Sequence, residues 1–418
     1  MNIKEDMRGI IDSAIKAVLP ESAVKEALSR SDFQARKGKG RLIVASIGKA
    51  AWRMAKAAGD ILDSEISGAV VTKYEHSMGE IKGLEIYEAG HPVLDENTLK
   101  GTKALLEHVK NLKENDTVLF LVSGGGSALF ELPAEGVTLD DMKDITSQLL
   151  ACGADIVEIN TIRKHLSSVK GGRFAQLCAP AHVFMVVLSD VLGDRLDSIA
   201  SGPAWPDAST SEEALSIVKK YDLKIKPELM KILSHETPKK LDNVTAVITG
   251  SVTALCSAAC EIAKSKGYEP LVLTTTMTCE AREAGAFMAS IAREVLTSGR
   301  PVKAPCAIIA GGETVVHLTG HGMGGRNQEF ALAAATGIAG LDGVVIASLG
   351  SDGTDGPTDA AGGIVDGKTE EILKAKNINI SDVLKENDAY NALKAADALL
   401  MTGPTGTNVN DVAIALIQ

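Results

Sequence analysis

Two hydrophobic periods run along this chain, and they predict an alternation of helices and strands. Over residues 2–19 the apolar positions recur every three or four residues, which predicts an amphipathic helix that Pro20 ends. Farther along, short uninterrupted apolar runs lead into glycine and then into a helical pattern, an order typical of buried strands in α/β sheets. In the first part of the chain the strands predicted on this ground span 42–47, 69–72, 84–87, 117–122 and 182–188, with helices at 50–63, 95–112, 138–151 and 155–169.

A polar, lysine-rich passage interrupts this alternation at residues 221–241, where Pro227 and Pro238 also stand. Such a composition is typical of a linker, so we place a domain boundary near residue 238. Beyond it the alternation begins again, with strands predicted at 244–249, 270–274 and 306–310 and helices at 252–266 and 280–297. The sequence therefore predicts two α/β domains, residues 1–238 and residues 239–418.

An apolar run at 344–347 leads into a segment that no regular element can accommodate. Residues 350–363 hold five glycines, one proline and three aspartates, Asp352, Asp355 and Asp359. One Asp-Gly pair would be an ordinary surface turn, but three carboxylates at the end of a buried strand repel each other unless a cation neutralises them. Ligands of open α/β sheets bind at the carboxyl ends of strands, and carboxylate oxygens suit Mg²⁺. A metal or ligand role is the favoured interpretation.

Two glycine loops earlier in the chain have the composition of anion sites. The strand at 117–122 leads directly into consecutive glycines between two serines, Ser123-Gly124-Gly125-Gly126-Ser127, which expose backbone N–H groups. A flexible linker is the alternative, although a linker rarely begins directly from an apolar strand. After the first strand, Gly48 and Lys49 open a helix. This motif is weak, yet a helix N-terminus disfavours a cation unless an anion binds there.

Further candidates stand in loops and at the ends of predicted strands. His91 lies in a loop after the third strand, where a hydrogen-bonded histidine without a ligand is equally expected. Lys170 and Arg173 flank a Gly-Gly break in a basic run. Such a run usually lies on a solvent-exposed face. Here the Gly-Gly break places a helix start between two cations, which favours binding of an anionic substrate. The remaining candidates are Asp190, after the strand at 182–188, and in the second half Gly312, Glu313, Thr314, Gly325, Arg326, Asn327, Thr405 and Asn408.

Composition and charge narrow the range of partners. The chain has 418 residues and a formal net charge of −11, which argues against nucleic acid or an anionic membrane as a partner. No apolar run is long enough to span a membrane, and the charged start of the chain does not resemble a signal peptide, so we expect a cytoplasmic protein. The six cysteines form no C-x-x-C pair, so buried thiols are the favoured interpretation.

The glycine loops together supply anion-binding N–H groups, two cations and several carboxylates. Phosphoryl transfer uses these groups, because charge on the transferred oxygens must be neutralised while donor and acceptor are positioned. Hydride transfer fits poorly, since Gly48 alone, rather than a G-x-G-x-x-G fingerprint, joins the first strand to its helix. Hydrolysis by a Ser-His-Asp triad fits no better, since no G-x-S-x-G elbow stands between a strand and a helix.

The motifs that carry these candidates follow one another over nearly the whole chain. They are Ile-Gly-Lys49-Ala-Ala-Trp52, Ser-Gly-Gly-Gly-Ser127, Lys-Gly-Gly-Arg173, Leu-Ser-Asp190-Val-Leu-Gly-Asp194, Ala-Ser-Gly-Pro203, Gly-Gly-Glu-Thr314, Gly-Gly-Arg-Asn327, Asp-Gly-Thr-Asp-Gly-Pro-Thr-Asp-Ala360 and Gly-Pro-Thr-Gly-Thr-Asn408. Singly most are unspecific. In this order they resemble the class II glycerate kinases, the glycerate 2-kinases with a MOFRL C-terminal domain.

The resemblance implies phosphorylation of D-glycerate to 2-phosphoglycerate with ATP and Mg²⁺, in a cleft between two domains. It implies a Rossmann-like N-terminal domain with a parallel sheet and a smaller, three-layer α/β C-terminal domain of the MOFRL type. Lys49 and Arg326 match the family's basic active-site pair. From the residues alone, Asp190, Glu313, Asp352 and Asp355 are our metal or base candidates, and the other loop residues are predicted to bind substrate or nucleotide.

Two alternative functions remain open at this point. Some members of the family have been labelled hydroxypyruvate reductases, which use NAD(P)H, so a reductase is the rival enzyme. A non-catalytic sensor of a sugar acid or a nucleotide is the alternative from a different class. The expected partners are small-molecule substrates, and the chain is expected to be a monomer or a homodimer.

Overall fold

The computed structural model describes residues 2–62 and 65–418, so residue 63, the end of one predicted helix, lies outside the described residues. The strands are β1 (Leu42–Ile47), β2 (Ser67–Lys73), β3 (Leu84–Ala89), β4 (Thr117–Val122), β5 (His182–Leu188), β6 (Val244–Gly250), β7 (Glu269–Met277), β8 (Cys306–Gly312), β9 (Val344–Gly350), β10 (Gly362–Asp366), β11 (Leu399–Leu400) and β12 (Asp411–Ile417). The helices are α1 (Ile3–Ala17), α2 (Pro20–Ser29), α3 (Ser31–Gln34), α4 (Ala51–Ile61), α5 (Glu96–His108), α6 (Gly126–Leu129), α7 (Leu139–Ala151), α8 (Ile156–Leu166), α9 (Arg173–Cys178), α10 (Ser211–Lys220), α11 (Pro227–Leu233), α12 (Val252–Ser265), α13 (Ala281–Ser298), α14 (Arg326–Gly337), α15 (Thr369–Ala375), α16 (Ile380–Lys385) and α17 (Ala389–Ala395).

The first sheet has the strand order β3-β2-β1-β4-β5-β6, and its first five strands run parallel. This is the strand order of doubly wound, Rossmann-type sheets. Both faces are buried, as parallel strands require. In β4, Val118, Phe120 and Val122 enter one apolar cluster, while Leu119 and Leu121 enter the cluster on the opposite face. The continuous apolar runs in the sequence therefore predicted these strands correctly.

The second sheet has the order β11-β10-β9-β12-β8-β7, in which β7 and β8 are parallel and all other neighbours are antiparallel. Helices cover both faces. One face packs against α13 and α14 in a single apolar cluster. On the other face a Cβ added to Gly311 would meet Val252 and Cys256 of α12. This is a three-layer α/β arrangement, and the prediction of two α/β folds is confirmed.

The chain divides into two compact units. One comprises residues 23–249 and the other comprises residues 2–22 together with 250–418, so α1 belongs with the C-terminal part. Asp6 of α1 fixes this helix, because it accepts hydrogen bonds from Lys266 Nζ and from Tyr268 Oη, each at 3.0 Å. An apolar helix face can pack on a sheet that is distant in sequence, and periodicity alone does not show which sheet it covers.

The passage before the boundary predicted near residue 238 was expected to be a linker, but part of it is helical and buried. The passage 221–241 carries α11, whose Leu229 and Leu233 are buried in a separate cluster with α7, α8 and α10. Beyond it, β6 completes the first sheet, with Ala246 and Ile248 packed on that sheet's core. The boundary at residue 238 as a limit between functional domains stays a prediction.

Candidate active site

Adjacent parallel strands bring two predicted loops of the first unit together. Because Ile47 of β1 pairs with Val122 of β4, the loops that follow these strands leave the sheet side by side. The N–H of Lys49 donates to the carbonyl of Gly124 at 2.9 Å, and the N–H of Ala50 donates to the hydroxyl of Ser123 at 3.0 Å. The helix start with Lys49 and the loop 123–127, which we call the glycine loop, therefore form one structural unit.

The glycine loop has close neighbours that exclude larger side chains. A Cβ on Gly124 would lie 2.2 Å from Asp190 Oδ2. A Cβ on Gly125, whose φ is +81°, would lie 2.9 Å from His91 Nε2 and 3.3 Å from Lys49 Cε. The structure thus gathers Lys49, His91 and Asp190 around the loop. Burial and then the nearby Lys49 charge lower the pKa of His91, so its imidazole is neutral at neutral pH.

Ser127, at the other end of the glycine loop, takes part in a polar contact that the sequence did not predict. Its Oγ lies 3.0 Å from Ser201 Oγ, and Ser201 Oγ donates to Asn160 Oδ1 at 3.0 Å. Ala200 and Ser201 both adopt left-handed backbone angles, with φ of 51° and 61°. Such angles are unfavourable for residues other than glycine, and they mark a constrained turn at this point of the site.

The sequence predicted that Lys170 and Arg173 of the basic run contact an anionic substrate. In the structure both side chains bond backbone carbonyls. The side chain of Lys170 is completely buried, and its Nζ donates to the carbonyls of Ser127 and Phe130 at 2.9 Å each. Arg173 donates through Nη1 to the carbonyl of Lys164. These cations bond backbone carbonyls, and a direct contact with substrate stays a prediction.

In the second unit the side chain of Arg326, the first residue of α14, lies between two carboxylates. Its Nε and Nη2 donate to the two oxygens of Asp411 at 2.5 and 3.1 Å, and its Nη1 donates to Glu313 Oε1 at 2.9 Å. Burial opposes the charged guanidinium, but the bonds to Asp411 outweigh it and raise the pKa of Arg326. Burial raises the pKa of Asp411, and the ion pair with Arg326 opposes that shift. Arg326 is therefore a fixed, permanently charged group.

Asp355 caps the helix that Arg326 begins. Its Oδ1 accepts the N–H of Asn327 at 3.2 Å, and its Oδ2 accepts the N–H of Gln328 at 2.9 Å. Burial raises the pKa of Asp355 to about 6, although these backbone hydrogen bonds oppose the shift. Because both oxygens bind the helix start, the structure gives Asp355 a capping contact where the sequence suggested a metal ligand.

The other predicted residues of the second unit lie in loops at the strand ends. Asp352 is half-buried, and its Oδ1 accepts the N–H of Thr354 at 3.0 Å. Thr405 donates its N–H to the carbonyl of Asp352 and its hydroxyl to the carbonyl of Ser351. Asn408 Oδ1 accepts the N–H of Asn410 at 3.3 Å. Gly312 ends β8, Thr314 is buried shortly after it, and Gly325 is the N-cap of α14.

The part of the chain that the structure describes holds no group of three or more His, Cys, Asp or Glu side chains arranged for a metal ion. Glu313 and Asp355, two of the predicted ligands, are engaged by Arg326 and by the start of α14. No helix in that part is long and apolar enough to cross a membrane.

Asp411 is the functional candidate that the sequence argument missed. The argument searched the carboxyl ends of strands, whereas Asp411 is the first residue of β12. Because β12 runs antiparallel to β8 and β9, its first residue lies opposite their last residues, Gly312 and Gly350. The signal was an aspartate placed directly between the glycine-rich segment 403–408 and an apolar run.

Two protein-family models match this chain. Residues 6–234 match the family model described as a domain of unknown function, DUF4147, and residues 306–411 match the MOFRL family model. The chain is 58% identical over 409 residues to a D-glycerate 2-kinase of Thermotoga maritima, covering 98% of this chain and 97% of that one. The chain belongs to the glycerate 2-kinase family with a MOFRL domain.

Two other relatives support this membership. A glycerate 2-kinase of Pyrococcus horikoshii is 44% identical over 434 residues, covering 100% of this chain and 98% of that one. A crystal structure of a glycerate kinase from Thermotoga maritima matches with a TM-score of 0.95 and 56% identity, covering 100% of this chain and 99% of that one. In this family framework Lys49 lies within the first matched region, while Arg326 and Asp411 lie within the second.

Proposed function

We propose that this chain transfers the γ-phosphoryl group of ATP to the 2-hydroxyl of D-glycerate, giving 2-phosphoglycerate and ADP. The observation that carries the proposal is the placement of a cation, Lys49, against a glycine loop at the carboxyl edge of a parallel sheet, where phosphate groups bind in α/β folds. The glycerate kinase names of close relatives supply the acceptor.

In the first unit, the glycine loop and Lys49 bind anionic oxygens. The absence of side chains on Gly124 and Gly125 lets Asp190, His91 and Lys49 approach the loop backbone closely, so that they surround the proposed anion site. Neutral His91 can donate or accept a hydrogen bond there without adding charge. In the transfer the hydroxyl oxygen of glycerate bonds to phosphorus while the bond to the ADP oxygen breaks. We assign Asp190, beside Gly124, to accept the hydroxyl proton.

In the second unit, Arg326 provides a charge that does not depend on pH. The Asp411 and Glu313 carboxylates fix its guanidinium before any substrate binds. A pre-positioned arginine stabilises the negative charge that spreads over the phosphoryl oxygens in the transition state. We propose that Lys49 and Arg326 act in the same transfer step. The interdomain cleft expected from the sequence stays a prediction.

The carboxylate that fits Mg²⁺ best is Asp352, which is half-buried and accepts a hydrogen bond through Oδ1. Mg²⁺ is usually held by one or two carboxylates together with water and phosphate oxygens, so a ready-made cluster of three is not required. Asp355 fits poorly, because both its oxygens bind backbone N–H groups. When bound, Mg²⁺ neutralises charge on the ATP phosphates.

The proposal is tested by ADP release in the presence of ATP, Mg²⁺ and D-glycerate, with L-glycerate as the matched control. We expect ADP formation that depends on D-glycerate. Oxidation of NADH by hydroxypyruvate without any ADP from glycerate would establish a reductase instead. Tight nucleotide binding with no turnover of either substrate would establish a sensor.

A further inference from the structure

Two cations, Lys170 and Arg163, converge on one backbone carbonyl of the glycine loop, that of Ser127. Lys170 Nζ donates to the carbonyls of Ser127 and Phe130, and Arg163 Nη2 donates to the same Ser127 carbonyl at 3.0 Å. Lys170 follows α8, and its side chain is completely buried. It therefore contacts the loop from the protein interior, through backbone carbonyls. We call Lys170 and Arg163 the cation pair.

The charge of the cation pair is only partly balanced. The charged groups that face Lys170 are Glu131, which follows α6, and Arg163 of α8. Glu131 Oε2 lies 3.6 Å from Lys170 Nζ, and both oxygens of this buried carboxylate lack a hydrogen-bond partner in the described structure. Two positive charges and one negative charge thus lie against one end of a loop whose other end faces Lys49.

We propose that the cation pair is a positioning device that fixes the Ser127 carbonyl at the end of the glycine loop toward the protein interior and attracts the anionic group bound on the loop's outer side. This inference rests on the proposed function, because it requires that the loop binds an anion. Carbonyl dipoles that point at the cations leave the opposite, N–H side of the loop directed at the ligand. In a low-dielectric interior an uncompensated charge acts more strongly than it would in water.

A purely structural role would predict a different response to pH. Burial, together with the nearby charge of Arg163, lowers the pKa of Lys170 to about 8, although Glu131 opposes the shift. The positive charge is present below that pKa and is lost as the pH rises through it. Affinity for the anion should therefore fall as the pH rises through about 8. If Lys170 had only a packing role, affinity for the anion would not change with its protonation.

Two single substitutions should move this titration in opposite directions. Glu131→Gln removes a negative charge that favours protonated Lys170, so the midpoint should fall by on the order of one pH unit. Arg163→Gln removes a positive charge that disfavours it, so the midpoint should rise by a similar amount. Lys170→Met should abolish the titration and raise the relevant KM roughly tenfold, the factor that corresponds to one unit of linked pKa change.

The measurement is the pH dependence, from about pH 6 to about pH 10, of kcat, of KM for ATP and of KM for D-glycerate, together with the Kd of ATP from calorimetry. The control is Lys103→Met, which removes an exposed lysine from α5 in the same unit. We expect the control to follow the wild-type profile. A titration of KM and Kd for ATP would identify the anion as a phosphate. A titration of KM for D-glycerate would identify it as the carboxylate. Either result supports the proposal that the cation pair attracts the bound anion.

The inference is overturned if the wild-type enzyme turns over D-glycerate but Glu131→Gln and Arg163→Gln share its midpoint, or shift it in the same direction. That result would leave the proposed function intact. If Lys170→Met does not fold, the two Gln variants still decide the matter. If the wild-type chain does not phosphorylate glycerate, the proposed function fails separately, and the Kd of ATP still tests the cation pair.

Discussion

The Arg326 guanidinium donates through Nε and Nη2 to the two oxygens of Asp411 and through Nη1 to Glu313. The two carboxylates differ in exposure, since the Asp411 side chain is 4% exposed and that of Glu313 is 47% exposed. A bidentate bond to a buried carboxylate restricts the rotation of the guanidinium plane, whereas an exposed partner contributes little. At the scale of single residues, Asp411 is therefore the group that orients Arg326.

Changing Asp411 to Asn should remove the charge and one of the two bonds to Arg326 while conserving shape. We expect kcat/KM to fall about tenfold to a hundredfold, because a misplaced cation stabilises the transition state less well. The decisive readout is chemical rescue. Added guanidinium should restore part of the activity of Arg326→Ala but not of the double variant Arg326→Ala with Asp411→Asn. Equal rescue of both would show that Asp411 does not position the guanidinium. Asp382→Asn, an exposed carboxylate of α16, is the control.

At the scale of elements, Asp355 joins the segment 350–363 to the start of α14. Both oxygens of Asp355 accept N–H groups from the first turn of α14, the helix that carries Arg326. Three residues earlier, Asp352 is half-buried, and its Oδ1 accepts hydrogen bonds from the N–H and the hydroxyl of Thr354 in its own turn. Two aspartates of one motif thus have different surroundings, and their substitutions should separate stability from catalysis.

Asp355→Asn should destabilise the second unit by about 1–2 kcal/mol, because an amide replaces one acceptor oxygen with a donor and leaves a backbone N–H of α14 without its partner. Asp352→Asn should leave stability within about 0.5 kcal/mol of wild type, as for other substitutions away from buried networks, but should lose most activity. Urea denaturation and steady-state kinetics of both variants check this. An Asp352→Asn enzyme with a near-normal rate would show that this carboxylate is not part of the active site.

The elements themselves were predicted where periodicity alone determines them. Continuous apolar runs identified β1, β4 and β5, and a three-to-four-residue period identified α1. Strand direction was not predictable in this way, because parallel and antiparallel strands can have the same buried composition. For that reason Asp411 escaped notice although it lies opposite Gly312 and Gly350. Burial of Lys170 was equally invisible, since a lysine after a helix usually faces solvent.

At the scale of the whole molecule, the two cations assigned to the transfer step belong to different compact units. Lys49 and the glycine loop belong to residues 23–249, and Arg326 with Asp411 belongs to residues 250–418. If both cations stabilise one transition state, neither unit is sufficient for catalysis. Removal of either cation should then lower kcat nearly as much as removal of both.

Lys49→Ala and Arg326→Ala should each lower kcat on the order of 10³-fold, and the double variant should be little slower than the slower single variant. Groups that act together in one step are not additive, because loss of either one already forfeits their shared contribution. Steady-state kcat values for the three variants check this. Effects that multiply fully would show that the two cations act independently.

The central claim, transfer of phosphoryl from ATP to the 2-hydroxyl of D-glycerate, is tested most directly by proton-coupled phosphorus NMR of the reaction products. The account predicts ADP and a new phosphate monoester whose signal is a doublet, since phosphorus on the 2-oxygen couples to the single proton on that carbon. A triplet would place the phosphoryl group on the 3-hydroxyl and contradict the assigned position. Absence of any monoester signal, with ATP unchanged after incubation with D-glycerate and Mg²⁺, would contradict the kinase itself.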